Sequence, residues 1–454
     1  MSHRRQFGFS LIELMIAMVL GVLVAAGIVS IFLSTSSSNR AQTQLARLQE
    51  EGRFAITRIS SDLAAANSQY CTNTGGNAHL GTGGVYIDGL RAPTIYAVGK
   101  LMNAMYDLTT PWGASAGGTY PSEPTTAYSL PSFLSMRGYD CTTTACTPVD
   151  PSYVGIPAQG TTAGKRVLGS SVITLRYLKP GSGWTIYPSG SASGSTLTTN
   201  AADSSLAQIN LAPTSTEPPV TNFQPGDLAL LANCSSAQVF AITGQGSGTL
   251  VPMGVGTTAG YNFALPTGQQ GTAAPMLFDL NRDYQTVTYY LEVVPSGDGI
   301  TTTGALMRRV NGNNASEGGR EDELVRGIER LDFKYGVEYP DGTTRFLSAA
   351  DVDASTSGTP GCTSQVPNPA DTIDKGCLWR AVKSIEVDLL MDGQVPLYTL
   401  TPGELEYTYA TDGLTTPSAP GDAARKVTPA QQGFVNPLLR REFTALVSLR
   451  NFNP

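Results

Sequence analysis

The first 66 residues constrain the rest of the chain more than any other stretch. They open with MSHRRQFG, a short polar leader in which Arg4 and Arg5 carry fixed positive charge and no acid answers them. Phe9 follows, and then an apolar run through Leu33 that only Ser10, Glu13 and Ser30 interrupt with polar side chains. From Leu14 to Leu33 the run meets the ~20 apolar residues that a bilayer crossing needs. The two arginines predict an N-terminus that stays cytoplasmic and a remainder that is exported. Glu13 is the anomaly. A carboxylate inside a span costs about 2.5–3.5 kcal/mol on insertion scales, so it is expected to be paired or functional. A cut after Gly8 would put a free amine on Phe9, one helical turn from Glu13 and at the positive end of the helix dipole. An ammonium from a neighbouring helix of the same kind could then neutralise the acid.

At these residues the sequence resembles the type IV pilin superfamily. The basic leader, Gly8, Phe9, the apolar run with Glu13 and the helix continuing past the membrane carry the resemblance. It implies that a prepilin peptidase cuts after Gly8 and that the new amine of Phe9 is methylated. It also implies that Glu13 guides docking of the subunit into a helical filament. One alternative is an ordinary signal-anchor helix. Another is a cleaved secretory signal, whose small-residue cut site would fall at Val24-Ala25-Ala26 or later and discard Glu13 unused.

The 454 residues leave room for more than one domain once the leader is removed. Charged residues make up only 14%, against 49 glycines and 29 prolines, the profile of an exported β-rich protein with long loops. Formal charge is −7 with Arg4 and Arg5 included and −9 without them, which disfavours nucleic acid as a partner. Six cysteines follow the leader: Cys71, Cys141, Cys146, Cys234, Cys362 and Cys377. An even number in an oxidising space reads as disulfides. Cys141 and Cys146 are neighbours in CTTTAC, and Cys362 and Cys377 bracket a loop. Pairing these neighbours leaves Cys71 with Cys234, which would tie the end of the long helix to the β region. Free buried thiols are the alternative. No CxxC is present and His79 is the only histidine outside the leader, so no zinc site is expected.

Beyond the span, Leu45, Leu48, Ala55, Ile59 and Leu63 recur in steps of three and four, with Gly52 in register, and mark one helical face. Arg47–Glu51 and Arg58–Asp62 supply i,i+4 pairs on other faces. The first proline is Pro93, so one helix is predicted from Phe9 to about Ala66, roughly 87 Å long. Its first half (9–33) belongs to the membrane or a filament core. Its second half (34–66) offers the apolar face to the globular part. From 67 to 170 the pattern fades into Gly, Thr and Pro clusters, which predicts a loop-rich insertion with short strands. Ser171–Leu178 alternates as a half-buried strand should. Residues 180–219, rich in Ser, Gly and Thr, predict a flexible loop or linker, with an ordered loop as the alternative. Further strands are expected at 227–233, 238–243, 276–280, 285–294, 305–310, in the second half of 323–339, within 378–391 and at 441–452. The expected class is α+β: a long N-terminal helix, its first half transmembrane, packed on an antiparallel β-sheet domain with long loop insertions, within a β-rich region 171–454.

This half resembles the PilW-like minor pilins and, more weakly, the J-type pseudopilins of type II secretion. The matching pieces are GSSVITLRYL, PGDLALLANCSSAQVFAIT, VTYYLEVV, ALMRRV, ELVRGIERLDFKYGVEY and REFTALVSLRN. The resemblance implies a pilin-like fold and a minor pilin that helps to start pilus assembly near the filament tip. It would cross the inner membrane once, with its C-terminal domain in the periplasm, before reaching the cell-surface pilus. The implied partners are other minor pilins, the major pilin, the prepilin peptidase, the inner-membrane assembly platform and a tip adhesin. The alternatives are a minor pseudopilin, which is typically shorter, and a surface-binding module using residues 72–166. No G-x-S-x-G elbow is present, and Gly160 and Gly164 stand one residue short of a phosphate loop before Lys165. Asp341-Gly342 lacks the alternating acids of a calcium loop. No catalytic residue, metal or cofactor is therefore expected, and no second membrane span before Pro454.

Overall fold

A computed structural model describes residues 10–67, 77–81, 84–88, 93–105, 123–151, 155–187, 191, 193–201, 206–220, 223–232, 237–242, 249–250, 252–253, 275–297, 299–315, 318–339, 341–356, 359–360, 362, 375–396, 427, 429–434 and 438–449. It begins with one helix, α1 (Leu11–Ala65), 55 residues long and so roughly 83 Å from end to end. Ser10 caps it. The Ser10 hydroxyl accepts from the Ile12 N–H, and the Glu13 carboxylate accepts from the Ser10 N–H, closing a capping box. No proline interrupts the helix. The predicted stripe is buried at Leu48, Gly52, Ala55, Ile59 and Leu63, while Leu45 is only half-buried. Each large aliphatic side chain of the stripe contributes about 1.5–3 kcal/mol on burial. At the far end Asn67 takes a left-handed conformation, and its N–H donates to the Arg176 carbonyl at 2.9 Å. The helix terminus is thus tied to the sheet.

The chain then supplies a hairpin at Asn77–Gly81 and Gly84–Asp88 and reaches the main sheet with β1 (Met136–Cys141) and β2 (Val172–Leu178). It leaves for a second sheet built from β3 (Trp184–Tyr187), β4 (Ser195–Thr199), β5 (Leu206–Asn210), β6 (Leu228–Ala232), β7 (Ala237–Ile242) and β8 (Met276–Asp279). It returns with β9 (Tyr284–Pro295), β10 (Thr302–Val310) and β11 (Arg320–Arg326). The last strands are β12 (Ile328–Glu338), β13 (Thr344–Leu347), β14 (Val382–Asp392) and β15 (Arg440–Ser448).

The strand order is β11-β10-β9-β2-β1 in one antiparallel sheet and β13-β12-β14-β15 in another. The two are joined by a bend. β11 runs into β12 through Gly327 alone, at φ +81, where a Cβ would lie 2.8 Å from the Asp392 carbonyl. Only glycine takes that conformation at no steric cost. The Gly327 N–H bonds Gly304 of the first sheet, and its carbonyl accepts from Asp392 of the second. The stretch 323–339 is therefore two strands belonging to two sheets.

Three regions depart from the sequence expectations. First, β1 lies within 67–170 yet pairs directly with β2, Met136 opposite Leu175 and Tyr139 opposite Val172. A boundary at 170 would cut one continuous sheet. Second, β2 is buried on both faces rather than half-buried. Its polar side is covered and internally satisfied: Thr174 bonds Thr288 at 2.9 Å, and Arg176 bonds Thr286 and the Leu134 carbonyl. Third, the described residues of 180–219 form sheet and ordered loop rather than a flexible linker. They carry β3, β4 and β5, and Trp184, Leu197, Leu206 and Ile209 are buried there in a separate apolar core with Leu231, Phe240 and Leu277. Sparse large side chains among Ser and Thr suffice, because Glu217 accepts from Thr185 and Thr214 while Trp184 donates to the Pro218 carbonyl. The strand β6, LALLA, separates two cores. Leu228 and Leu230 face the main one, Ala229 and Leu231 the second. A strand covered on both faces needs a continuous apolar run.

In the β12–β14 pair one face is apolar, with Leu331, Phe333 and Tyr335 beside Ile385, Val387 and Leu389 in the main core. The other face holds Arg330, Asp332, Lys334, Glu386 and Asp388, all buried. Lys334 pairs with Glu386 at 2.8 Å, Arg330 with Asp332 at 3.1 Å, and Thr444 of β15 bonds Asp388 at 2.9 Å. Disulfides join Cys141 to Cys146 and Cys362 to Cys377. Cys71 and Cys234 lie outside the described residues.

Candidate functional site

The site is α1 itself, which divides into two halves of opposite character. From Leu11 to Leu33 every residue is exposed in the isolated chain, although the segment is almost wholly apolar. At ~1.5 Å per residue this stretch is about 35 Å long, enough for a hydrocarbon core of about 30 Å. Among the described residues α1 is the one helix long and apolar enough to cross a membrane. Apolar surface of this extent requires another apolar phase around it, lipid or other helices.

Glu13 is the single charged group on that half. Its carboxylate takes the N–H of Ser10 at 3.2 Å, which places it at the helix N-terminus, where the backbone dipole favours an anion. The S-x-x-E spacing of Ser10 and Glu13 is a capping-box signature that the sequence already carries. Gly8 and Phe9 lie outside the described residues. The carboxylate has a second lone-pair set on Oε1 and can accept further donors while it caps.

The second half of α1 is fixed by a charge buried at Asp62. This side chain sits on the apolar stripe between Ile59 and Leu63 and is 5% exposed. Arg308 of β10 donates Nε to Asp62 Oδ2 at 2.6 Å. The Tyr289 hydroxyl of β9 donates to the same oxygen at 2.6 Å, and the Tyr177 hydroxyl of β2 to Oδ1 at 3.0 Å. Three strands thus grip one carboxylate of the helix. Burial, with Asp62 beside it, pushes the Tyr177 hydroxyl up to about 12 and keeps it a donor. Burial pulls Arg308 down, but the bond to Asp62 outweighs this and holds it above the usual arginine range.

The expected surface pair Arg58–Asp62 is present only at 4.0 Å, on the outer side of this network. Sequence reasoning missed Asp62 as an anchor. The signal was available, since an acid at a stripe position, three residues after Ile59, must be paired inside. Near the same end, Gly52 lets the helix touch β15. A Cβ there would stand 2.5 Å from the Phe443 ring. The carboxylate therefore fixes helix rotation and the glycine fixes helix distance. Together they fix the second half of α1 against the β domain, and the exposed half continues from it as the same helix. No group of metal-ligating side chains is assembled among the described residues.

Comparison with known proteins gives two matches. Residues 288–451, from β9 through β15, match the family model of the type IV pilus-assembly protein W. Residues 3–29 match the prokaryotic N-terminal methylation motif, the segment that includes Gly8, Phe9 and Glu13. Residues 30–287, with the second sheet, lie outside both. No curated protein and no solved structure matches the chain. With the single exposed apolar helix, the two matches are consistent with a PilW-like type IV pilin.

Proposed function

We propose that the chain is a minor pilin, a structural subunit that helps to initiate type IV pilus assembly and is incorporated near the filament tip. The single observation that carries this reading is the unburied apolar half of α1, with Glu13 as its only charge. A prepilin peptidase would remove residues 1–8 after Gly8, and the amine of Phe9 would be methylated. The cleaved chain would wait in the inner membrane with its β domain in the periplasm. On extraction into the filament, the apolar half would exchange lipid for the equivalent helices of other minor pilins and the major pilin. The assembly platform and a tip adhesin complete the set of partners. Motive energy would come from those partners, and this subunit would perform no catalysis.

Glu13 would dock against the amine of a neighbouring subunit in a low-dielectric core, where an unpaired charge is expensive and a paired one sets axial register. The match of 288–451 to a pilus-assembly family favours a pilus over a secretion pseudopilus. Two substitutions separate docking from capping. Glu13→Gln keeps an acceptor for the Ser10 N–H and removes the charge, whereas Glu13→Leu removes both. Both variants are expected to be cleaved and to reach the inner membrane, yet to enter pili poorly and to lose crosslinks to partner pilins. If Glu13→Gln enters pili as the wild type does, the carboxylate only caps its own helix.

A further inference from the structure

The Cys141–Cys146 disulfide closes a hairpin at the end of β1, with the two cysteines directly opposite each other. A charged donor lies against both sulfurs. Arg166 is fully buried, and its Nη1 donates to Cys141 Sγ at 3.1 Å and to Cys146 Sγ at 3.4 Å. Gln159 Nε2 adds a donor to Cys146 Sγ at 2.9 Å. The guanidinium is held in this direction from its other sides. The Arg166 backbone N–H donates to the Ala158 carbonyl, Nε to the Pro157 carbonyl at 3.2 Å and Nη2 to Asp150 at 3.1 Å. Burial pulls Arg166 down to about 10, with Asp150 opposing the shift, so the group is still a cation at neutral pH.

These surroundings suit a thiolate better than a disulfide. Disulfide sulfur is neutral and accepts weakly, so the buried Nη1 is poorly answered. A thiolate would answer it with a full negative charge. A cation beside a cysteine lowers the thiol pKa, and a leaving thiol of lower pKa departs faster in exchange. The hairpin also has bonds of its own. The Thr142 N–H donates to the Ala145 carbonyl at 2.8 Å, and the Thr144 and Ala145 N–H groups donate to the Thr142 hydroxyl. These bonds hold the two sulfurs together after reduction, so the bridge can re-form. At Cys362–Cys377 the contact is of another kind: the Ser355 hydroxyl, a neutral group, lies 3.6 Å from Cys377 Sγ.

We propose that Cys141–Cys146 is a thiol–disulfide exchange site that takes two electrons from a dithiol reductant, while Cys362–Cys377 is a structural bridge. A thiolate of the reductant attacks Cys146 Sγ, which is 8% exposed against 0% for Cys141 and sits under the exposed residues Thr144, Ala145 and Thr147. A bond forms between the reductant sulfur and Cys146 Sγ. The Cys141–Cys146 bond breaks, and its electron pair leaves on Cys141 Sγ beside Arg166 Nη1. The second thiol of the reductant then closes on the first sulfur, displaces Cys146 and passes its proton to it. The reductant ends as a disulfide, and the protein as a Cys141 thiolate and a Cys146 thiol.

The test equilibrates the purified full-length chain in non-ionic detergent with mixtures of reduced and oxidised dithiothreitol. Samples are quenched in acid, alkylated and read by peptide mass spectrometry for each cysteine pair. Cys141–Cys146 is expected to be half reduced at a ratio of reduced to oxidised reagent at least about tenfold below that for Cys362–Cys377. With this pair alone reduced, one thiol should titrate below the ordinary value of about 8.5, read by ultraviolet thiolate absorbance. Arg166→Met should raise the half-reduction ratio of this pair about tenfold and leave Cys362–Cys377 unchanged. If that variant fails to fold, the two wild-type measurements decide. Half reduction of both pairs at one ratio, or a lowest thiol titrating at 8.5 or above, would overturn the proposal. So would a folded Arg166→Met variant that reduces as the wild type does. None of these readouts involves the filament, so their outcome is independent of the pilin reading.

Discussion

Replacing Asp62 by leucine should be among the most damaging single changes in the β domain. Arg308 would remain buried with Nε unanswered, and the Tyr289 and Tyr177 hydroxyls would each lose an acceptor. Arginine cannot relieve the cost by losing its proton. Removing one partner of a buried ion pair costs about 3–5 kcal/mol, and each orphaned hydroxyl adds about 1 kcal/mol or more. A total near 5–7 kcal/mol is a large share of the roughly 5–15 kcal/mol that stabilises a domain. The double variant Asp62→Leu/Arg308→Met removes both charges together. Well-packed apolar replacements of buried pairs are close to neutral, so it should recover most of the loss. The assay is guanidinium unfolding of the full-length chain in detergent, followed by tryptophan fluorescence, since Trp184 and Trp379 are fully buried. A single variant within about 1 kcal/mol of the wild type would refute the anchor. So would a double variant no more stable than the single one, because the penalty would then not come from the stranded guanidinium.

Gly52→Ala should destabilise although alanine is the better helix former by about 1 kcal/mol, because the new Cβ meets the Phe443 ring at 2.5 Å. Adding Phe443→Ala should restore the ordinary helix preference, which the same unfolding assay would read. The Asp388 carboxyl is pushed up to about 7, by burial first and then by the Glu386 and Asp332 carboxylates, against about 3.9 in an unfolded chain. The folded state therefore binds more protons between those values. Its contribution is fully present below about pH 4 and is lost as pH rises through about 7. Unfolding midpoints should accordingly fall between about pH 4 and pH 7, and Asp388→Asn should flatten that slope.

The helix was legible from the sequence because its signals are local. The stripe at Leu48, Gly52, Ala55, Ile59 and Leu63 and the absence of proline before Pro93 define it without tertiary information. Strands β6, β7, β9, β10, β12, β14 and β15 were also readable, from apolar runs or alternation of six residues or so. The second sheet was hidden in 180–219 because four large apolar side chains spaced among Ser, Gly and Thr make a core only when β6 and β8 supply the other side. β1 was hidden for a similar reason. MRGYDC alternates poorly, and it is a strand because β2 pairs with it and Tyr335 fills the space over Gly138. At the site, Glu13 was visible as a lone acid in an apolar run. Asp62 was visible only as an acid at a stripe position that needs a partner; which partners was not, because Arg308, Tyr289 and Tyr177 lie more than a hundred residues away.

The most direct test of the pilin account is the intact mass of the chain extracted from membranes of cells with a working prepilin peptidase. The account predicts a chain that has lost residues 1–8, begins at Phe9 and carries one added methyl group. A chain still beginning at Met1 would contradict it.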